Sequence, residues 1–327
     1  MDISVVIPAK DEEESILELT QWISRVMKTH GFSYEVIFID DGSEDDTWKK
    51  IKEASAIDPN VKGIRFNRNF GKSAAVNTGF RAAQGSVVIT MDADLQDSPD
   101  EIPELYKMIH AGGLHLVSGW KKKRHDPITK TIPSKFYNAL TRWMSGINLH
   151  DFNSGLKAYA HVVVKNITVY GEMHRYIPLI AKWAGFNKIG EKVIEHHERK
   201  YGKSKFGLER MRGLLDLLTI TFVGKFARRP MHLFGTWGVL SFLAGFILTA
   251  AILWEKLAWR WFDGPVPKRD VVDQPAFYLA LVFVILGVQL FLTGFVAELI
   301  ARQSLSKRDY LVIETIGIEK STQPANH

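Results

Sequence analysis

Residues 86–97 read SVVITMDADLQD, a short β-branched run that leads directly into acidic side chains. The run has the length and composition of a buried strand. Asp92 and Asp94 stand two residues apart at its end, so an extended backbone places both carboxylates on one side. Carboxylate oxygens suit Mg²⁺ or Mn²⁺, which complete their coordination with water and with phosphate oxygens of a substrate. The stretch therefore predicts a strand that ends at a divalent metal site, where Gln96 adds an amide oxygen.

Similar runs alternate with helix-length patterns in the first part of the chain. The predicted strands are Ile3–Pro8, Glu35–Asp40, Val61–Phe66, Ser86–Asp92 and Leu114–Gly119. Apolar residues mark one face of a helix over Glu13–Thr29, and a second helix over Asp45–Ala56 follows a Ser43 cap. This alternation predicts an α/β fold with a mostly parallel sheet that is covered by helices on both faces. In such folds, ligands bind beyond the carboxyl ends of the strands.

Polar residues cluster at those carboxyl ends. The first strand leads into Pro8, Ala9, Lys10, Asp11 and Glu12, and the second leads into Asp40, Asp41, Gly42 and Ser43. Acidic residues that follow a single strand commonly cap a helix or lie in a solvated loop. When acidic residues follow three strands at one edge of a sheet, their carboxylates repel each other unless they share a cation. We expect Asp40 and Asp41 to contact a nucleoside, because carboxylates accept hydrogen bonds from ribose hydroxyls and base N–H groups.

Lys72 begins another helix pattern, directly after Arg68-Asn69-Phe70-Gly71. At that place it either contacts a diphosphate or is simply solvated. The stretch lacks the Gly-x-x-x-x-Gly-Lys-Ser/Thr order of a Walker A loop, so the main sequence evidence for an ATPase activity is missing.

Two segments near the end of the chain contain no Asp, Glu, Lys or Arg. They are Met231–Trp254 and Gln274–Ala297. Each reaches about 36 Å as a helix, which is enough to cross a hydrocarbon layer of roughly 30 Å. The alternative is a helical hairpin in a large soluble core. We expect two transmembrane helices, in which Gly287 and Gly294 permit close packing and are compatible with a homo-oligomer.

Basic residues flank both segments on the outer sides of the pair. Lys225, Arg228 and Arg229 precede the first segment, and Arg302, Lys307 and Arg308 follow the second. The positive-inside rule and the absence of a signal-peptide pattern at the N-terminus predict a multi-pass protein of the plasma (inner) membrane. We expect a catalytic domain over 1–205, interfacial amphipathic helices over 206–230, two transmembrane helices over 231–300 and a tail over 301–327. The catalytic domain and both termini are expected in the cytoplasm.

The formal net charge of +6 comes with a local cluster of basic residues between Arg199 and Arg229, where only Glu209 and Asp216 oppose them. Because this cluster approaches the first apolar segment, anionic lipid headgroups or a phosphorylated lipid fit it better than nucleic acid does. The sequence has no cysteine, which excludes a disulfide framework and a thiolate metal site.

Four motifs together resemble family 2 glycosyltransferases of the GT-A fold, a Rossmann-like architecture. They are Pro8-x-x-Asp11-Glu12, Asp40-Asp41-Gly42-Ser43-x-Asp45-x-Thr47, Asn69-x-Gly71 with Ala75 and Gly79, and Asp92-Ala93-Asp94-Leu95-Gln96-Asp97. Three further features look like dolichol-phosphate mannose synthases and bacterial polyprenyl-phosphate glycosyltransferases. They are Gln96 after the Asp-x-Asp, Asp151-x-x-Ser154-Gly155-Leu156-Lys157 and Arg199-x-x-Gly202-x-Ser204-Lys205. The two apolar segments match the bacterial branch, which includes bactoprenol glucosyltransferases.

The resemblance implies an inverting, metal-dependent transfer of a hexose from UDP-glucose or GDP-mannose to undecaprenyl or dolichyl phosphate. Alternatives are transfer of a modified amino sugar, a non-catalytic membrane scaffold, and a nucleotidyltransferase, whose Gly-rich N-terminal loop is missing. Processive synthases carry Gln-x-x-Arg-Trp, whereas Ala139 precedes Arg142-Trp143 here, which favours a single transfer. Asp11 stands where the family usually has Asn.

The candidate residues fall into four groups. We assign catalysis to Asp94, Asp151 and Arg199, with Asp151 as a base, an acceptor-orienting group or a cap. The nucleotide-sugar site comprises Pro8, Ala9, Asp11, Glu12, Asp40, Asp41, Lys72, Asp92 and Ala93. The acceptor-phosphate site comprises Arg124, Ser134, Arg199, Lys203 and Lys205. The Mg²⁺ or Mn²⁺ ligands are Asp92, Asp94 and Gln96.

Overall fold

A computed structural model of the 327-residue chain shows two compact units. The structure describes residues 1–122, 138–139, 141–142, 145–171, 173–197, 200, 230–262, 270–303 and 312–317. The first unit comprises Met1–Leu218 together with Asp309–His327, and the second comprises Thr219–Arg308. The predicted interfacial helices over 206–230 fall outside the described residues, except for residue 230.

The described residues of the first unit form one mixed sheet. Its strands are β1 (Ile3–Ala9), β2 (Tyr34–Asp40), β3 (Val61–Phe66), β4 (Val87–Thr90), β5 (Leu116–Trp120), β6 (Lys157–Ala160), β7 (Ile189–Val193) and β8 (Val312–Ile316). Their order across the sheet is β7-β5-β6-β4-β1-β2-β3-β8. Strand β6 runs antiparallel to β4 and β5, and β8 runs antiparallel to β3, whereas the other neighbours are parallel. The predicted α/β fold with a mostly parallel sheet is confirmed.

Helices cover both faces of this sheet. They are α1 (Ile16–His30), α2 (Thr47–Ile57), α3 (Lys72–Ala82), α4 (Ile102–His110), α5 (His161–Asn166) and α6 (Ile177–Trp183). Alternate residues of β1 divide between two apolar cores, because successive side chains of a strand point to opposite faces. Val5 lies in the core formed with α1, α2 and α4, whereas Val6 lies in the core formed with α3, α5 and α6.

Helix α2 begins at Thr47, with Asp46 in the N-cap position. The prediction that Ser43 caps this helix is wrong. Its hydroxyl instead accepts a hydrogen bond of 2.9 Å from the backbone N–H of Asp11, in the loop after β1. A contact between two loops has therefore replaced the local cap that the sequence spacing indicated.

Strand β8 was not predicted, since residues 301–327 were expected to form only a tail. It pairs with β3 in a register that joins Gly63 to Ile316 and Phe66 to Val312, with an irregularity between Arg65 and Phe66. Without β8, strand β3 would be the edge of the sheet and would expose unpaired backbone groups. The chain thus leaves the first unit, forms the second, and returns to complete the first.

The second unit contains two long helices, α7 (Pro230–Phe262) and α8 (Pro275–Gln303). Both are long and apolar enough to cross a membrane. Large apolar side chains remain exposed along them, with Ile247 64% and Trp254 71% accessible to solvent. A hairpin in a soluble core would bury such side chains, so the exposure favours the expected membrane spans over that alternative.

Small residues form the seam between α7 and α8. A Cβ atom added to Gly287 would lie 2.8 Å from the carbonyl oxygen of Gly238, and one added to Gly245 would lie 2.7 Å from that of Ala280. Ser241 also donates a hydrogen bond of 3.0 Å to the carbonyl oxygen of Phe283. Such residues let membrane helices approach closely. Gly287 therefore serves packing within one chain, and its presence is no argument for a homo-oligomer.

Candidate active site

The loops after β1 and β2 are joined by side chains that bond backbone groups of the opposite loop. Asp11 Oδ1 accepts a hydrogen bond of 3.0 Å from the N–H of Glu44, and Thr47 Oγ1 accepts one of 2.8 Å from the N–H of Glu12. The bond from Asp11 to Ser43 adds a third link. Asp11 also has a φ of 48°, which is unusual for a residue other than glycine. Asn in this place offers the same acceptor oxygen, so the substitution of Asp for Asn preserves the connection.

Asp40 lies at the end of β2 with its side chain fully buried. Oδ1 accepts a hydrogen bond of 2.8 Å from the N–H of Ser43, and Oδ2 lies 3.2 Å from Nε of Arg65. A buried carboxylate needs such partners, since its desolvation is otherwise costly. The structure therefore places Asp40 beneath the loop, where it fixes the backbone instead of facing a nucleoside directly.

Asp41 fastens the loop that leads into α3. Its Oδ1 accepts a hydrogen bond of 2.7 Å from the N–H of Phe70, and its Oδ2 accepts one of 2.9 Å from the N–H of Gly71. Burial raises the pKa of this carboxyl group, although the two backbone bonds oppose the shift. Since Lys72 follows Gly71, Asp41 determines where α3 and its first side chain begin.

The acidic motif after β4 has a different backbone from the one expected. The strand ends at Thr90, and residues 93–94 form a turn. Asp94 Oδ1 accepts a hydrogen bond of 3.3 Å from the N–H of Gln96, and Leu95 has a φ of 59°. The predicted extended placement of the two carboxylates is therefore wrong, because an Asp side chain that bonds the backbone two residues ahead stabilises a turn.

Asp92 forms an ion pair with Lys72, with 2.5 Å between Oδ1 and Nζ. Both side chains are 32% exposed, so the pair borders solvent. On the other side, a Cβ atom added to Gly155 would clash with Asp92 Oδ2. Burial alone would raise the pKa of Asp92, but the charge and hydrogen bond of Lys72, together with the charges of Lys121 and Lys157, lower this pKa to about 2. Asp92 therefore remains ionised and held in place.

The acidic motif fits a hard divalent cation with open coordination positions. Within the described part of the chain, no group of three or more His, Asp and Glu side chains is arranged to hold a metal. Asp92 and Asp94 are nevertheless both partly exposed at this edge of the sheet. Mg²⁺ and Mn²⁺ are commonly held by one or two carboxylates, with substrate phosphates and water as further ligands. Gln96 donates through Nε2 to the carbonyl oxygen of His197 at 3.4 Å.

The sequence analysis assigned no role to several polar residues beside Asp92, although one of them, Lys157, stands in the motif from Asp151 to Lys157. They line a cavity of about 20 Å³, which has room for roughly one water molecule. Lys157 is almost completely buried and donates to the carbonyl oxygen of Ser154. Burial lowers the pKa of Lys157 to about 8, against the opposing charge of Asp151.

His174 lies on the same cavity, with Nδ1 3.0 Å from the hydroxyl of Ser73. Burial, followed by the charge of Lys72, lowers the pKa of His174 well below its ordinary value. No spacing in the sequence connects this histidine with Lys157, because the two approach only through the tertiary fold.

Asp151 is buried in the turn that precedes β6. Its Oδ1 accepts a hydrogen bond of 3.1 Å from the N–H of Asn153, and its own N–H donates to Oε1 of Glu191 at 3.2 Å. Ser118 donates to its carbonyl oxygen at 3.2 Å. Of the three expected roles, these contacts fit the cap best.

The structure brings together the predicted donor and metal residues at one edge of the sheet. The predicted acceptor residues lie outside the described residues. They are Arg124, Ser134, Arg199, Lys203 and Lys205.

The sequence profile of glycosyl transferase family 2 matches residues 4–168, half of the chain. The chain belongs to glycosyl transferase family 2. Among relatives of this glycosyltransferase, the dodecaprenyl-phosphate galacturonate synthase of Rhizobium johnstonii is 34% identical over 307 residues, which cover 92% of this chain and 88% of the relative. The undecaprenyl-phosphate 4-deoxy-4-formamido-L-arabinose transferase of Pseudomonas fluorescens is 31% identical over 329 residues, which cover 99% of this chain and 92% of the relative.

Solved structures show the same fold as this glycosyltransferase. Glucosyl-3-phosphoglycerate synthase of Mycobacterium tuberculosis, in complex with Mn²⁺, UDP-glucose and phosphoglyceric acid, has a TM-score of 0.53 at 19% identity over 67% of this chain and 79% of that chain. Mannosyl-3-phosphoglycerate synthase of Rubrobacter xylanophilus has a TM-score of 0.56 at 14% identity, and the match covers 69% of this chain and 75% of that chain. The predicted family, GT-A fold and enzyme class are confirmed, and the non-catalytic scaffold is set aside.

Proposed function

We propose that this glycosyltransferase transfers one sugar from a nucleotide-diphosphate donor to a polyprenyl phosphate at the cytoplasmic face of the plasma (inner) membrane. The observation that carries the proposal is the extent of similarity to transferases whose names specify polyprenyl-phosphate acceptors. The similarity covers 92% and 99% of this chain in the two relatives described above, and so includes the apolar helices α7 and α8. A water-soluble acceptor would need no such helices.

The donor site consists of Pro8, Ala9, Asp11, Glu12, Asp40, Asp41, Lys72, Asp92 and Ala93. Within it, Asp40 and Asp41 act through the loops that they hold, since their oxygens already accept bonds from nearby groups or pair with Arg65. Asp94 and Asp92 are the proposed metal ligands, with Gln96 as an additional amide ligand. A bound Mg²⁺ or Mn²⁺ neutralises the charge of the diphosphate that leaves.

The relatives favour a modified sugar over glucose or mannose. One is named for galacturonate and the other for 4-deoxy-4-formamido-L-arabinose, whereas the sequence-based expectation was a hexose from UDP-glucose or GDP-mannose. We therefore place a uronic acid or a formamido sugar ahead of the neutral hexoses. The alternative of a modified amino sugar fits the second of these relatives.

The chemistry needs little proton transfer. A lipid monophosphate is largely ionised at neutral pH, because its second pKa is about 6. One of its oxygens bonds to the anomeric carbon of the sugar as the bond from that carbon to the diphosphate breaks. The nucleoside diphosphate leaves with the electron pair, and direct displacement inverts the anomeric centre. The acceptor phosphate is assigned to Arg124, Ser134, Arg199, Lys203 and Lys205, while Asp151 shapes the acceptor side as a cap.

Strand β8 supports the proposed topology. The chain enters the second unit from the first and returns to the first at β8. If α7 and α8 each cross the membrane once, the start of α7 and the end of α8 lie on the same side of the membrane. The basic flanks, Lys225 to Arg229 and Arg302 to Arg308, then fit a cytoplasmic location.

Transfer of radiolabelled sugar to undecaprenyl phosphate in detergent tests the proposal. The donors would be UDP-galacturonate, UDP-4-deoxy-4-formamido-L-arabinose, UDP-glucose and GDP-mannose, each with Mg²⁺, with Mn²⁺ or with EDTA. We expect metal-dependent label in the lipid fraction, lost in Asp94→Asn and retained in the matched control Asp100→Asn, whose exposed side chain lies in the following 3-10 turn. Label that appears equally with EDTA would refute the metal assignment.

A further inference from the structure

The side chain of Asp92, a proposed metal ligand, is engaged at both of its carboxylate oxygens. Oδ1 lies 2.5 Å from Nζ of Lys72. Oδ2 lies against Gly155, where an added Cβ atom would clash with it. A cation that binds Oδ1 of Asp92 therefore competes with an ammonium group for the same oxygen.

The charge of Lys121 also acts on Asp92, but the ammonium group of this lysine is paired elsewhere. Its Nζ lies 2.7 Å from Oδ1 of Asp97, and the same oxygen lies 3.5 Å from Nδ1 of His196. Asp97 thereby joins the segments that follow β5 and β7. The Lys121 side chain is only 14% exposed and that of Asp97 is fully buried, so breaking this pair would be costly.

Lys157 is the third cation that acts on Asp92. It is almost completely buried and donates a hydrogen bond to the carbonyl oxygen of Ser154. Lys72 differs from both other lysines, because its side chain is 32% exposed and borders solvent. A lysine carries its charge on a flexible four-carbon stem. Of these three ammonium groups, that of Lys72 is therefore the one that can leave Asp92 most easily.

The backbone from which Lys72 extends is held firmly. Asp41 accepts hydrogen bonds from the N–H groups of Phe70 and Gly71, and the N–H of Ala74 donates to the carbonyl oxygen of Gly71 at 3.0 Å. Departure of Lys72 from Asp92 therefore requires rotation of the side chain and no movement of helix α3.

While Lys72 holds Asp92, Asp94 is the remaining carboxylate among the proposed metal ligands. Within the described residues, no group of three or more His, Asp and Glu side chains is arranged to hold a metal. Mg²⁺ and Mn²⁺ are seldom bound by so few protein ligands unless phosphate oxygens of a substrate take part. These residues are therefore expected to bind a divalent cation weakly when no diphosphate is bound.

A donor diphosphate would change this balance, because it offers anionic oxygens to both cations. Lys72 would exchange one anionic partner for another, and charge-assisted hydrogen bonds to phosphate are strong. The same diphosphate would supply oxygen ligands to the metal. A divalent cation without a diphosphate gives Lys72 no new partner.

We propose that Lys72 makes metal binding at Asp92 depend on the donor: its ammonium group holds Oδ1 until the diphosphate binds, then moves to the diphosphate and leaves the carboxylate to the metal. This inference rests on the proposed function, because it uses the assignment of the donor diphosphate to this edge of the sheet. It implies that donor and metal bind together and that the metal alone binds poorly.

Lys72→Met should change two affinities in opposite directions. Mn²⁺ alone should bind about 10-fold more tightly, because a competing positive charge has gone from Oδ1 of Asp92. UDP or GDP at saturating Mn²⁺ should bind about 10-fold more weakly, because the diphosphate loses a charged partner. General damage to the fold would weaken both, so the opposite signs identify the exchange.

The test uses the full chain in detergent and measures Mn²⁺ binding by electron paramagnetic resonance of the unbound ion and nucleotide binding by calorimetry. Lys72→Arg keeps the charge and should bind Mn²⁺ alone as weakly as wild type does. Lys49→Met is the surface control, since the Lys49 side chain is 72% exposed. Lys72→Gln is a second neutral variant, and the unfolding temperature of each protein shows that it is folded.

Unchanged or weaker binding of Mn²⁺ alone in folded Lys72→Met and Lys72→Gln would overturn the proposal. An equal gain in Lys72→Arg or Lys49→Met would overturn it too, because the positive charge at residue 72 would then not be the cause. Neither binding measurement needs an acceptor. If the two affinities change as expected while no polyprenyl phosphate is labelled, the proposed acceptor is wrong and the exchange at Asp92 stands.

Discussion

Lys72 and Asp92 form a 2.5 Å ion pair that joins the start of α3 to the end of β4 at the carboxyl edge of the sheet. The sequence left two interpretations of Lys72 open, contact with a diphosphate or simple solvation. The structure instead shows Lys72 paired with Asp92, a proposed metal ligand at the carboxyl edge of the sheet. A lysine in this place neutralises Asp92 in the free enzyme and lies close to where the donor diphosphate is proposed to bind.

Replacing Lys72 with methionine should lower kcat/KM for the donor by about 10- to 100-fold, because one fixed positive charge near the leaving diphosphate is lost. The measurement is initial rate against donor concentration. Lys49→Met is the control, since the Lys49 side chain is 72% exposed and lies on the surface. Similar kinetics in Lys72→Met and Lys49→Met would show that Lys72 has no part in donor use.

Replacing Asp41 with asparagine should destabilise the loop before α3. One carboxamide oxygen cannot replace both carboxylate oxygens that accept from the N–H groups of Phe70 and Gly71. The loss of one such buried bond costs about 1–3 kcal/mol. We expect a lower unfolding temperature and weaker donor binding than in the exposed control Asp46→Asn. A wild-type unfolding temperature would contradict the role assigned to Asp41.

Acidification should destabilise the enzyme through His174. Its pKa in the folded protein lies well below the ordinary value of 6.5, so the unfolded chain binds the proton more readily. Stability is therefore lost as the pH falls below about 6.5, towards the folded-state pKa. Unfolding temperature measured against pH should show a smaller decline in His174→Gln. An identical decline in both proteins would refute this cause.

Removal of residues 310–327 should expose the edge of β3, because β8 covers it. Unpaired edge strands promote association, so we expect a lower unfolding temperature and more aggregation in detergent than in the full chain. Removal of residues 318–327 alone keeps β8 and serves as the control. Equal behaviour of the two truncated proteins would mean that β8 adds nothing to the stability of the sheet.

The strands and the meeting of acids at one edge were predictable from the sequence. Runs such as residues 36–39 are rich in β-branched residues and buried on both faces, and parallel strands bring their carboxyl ends to the same edge. The long uncharged runs of α7 and α8 were likewise apparent from composition. These features depend on local pattern, which a single sequence displays directly.

The roles of individual acids were less predictable. Asp41, Asp92 and Asp97 look equivalent in the sequence, but the first bonds two backbone N–H groups, the second pairs with Lys72 and the third joins two segments. Those roles are decided by partners far along the chain. The same holds for β8, whose pairing with β3 has no local signal, and for Lys157 and His174, which meet only around a shared cavity.

The most direct test of the central claim is mass spectrometry of the lipid after the full chain is incubated with undecaprenyl phosphate, Mn²⁺ and each of the four donors separately. We predict a lipid that gains one sugar residue on its phosphate with one of these donors, together with one nucleoside diphosphate released for each lipid converted. Nucleotide release that leaves the lipid unchanged, or a lipid that carries a growing polymer, would contradict the account.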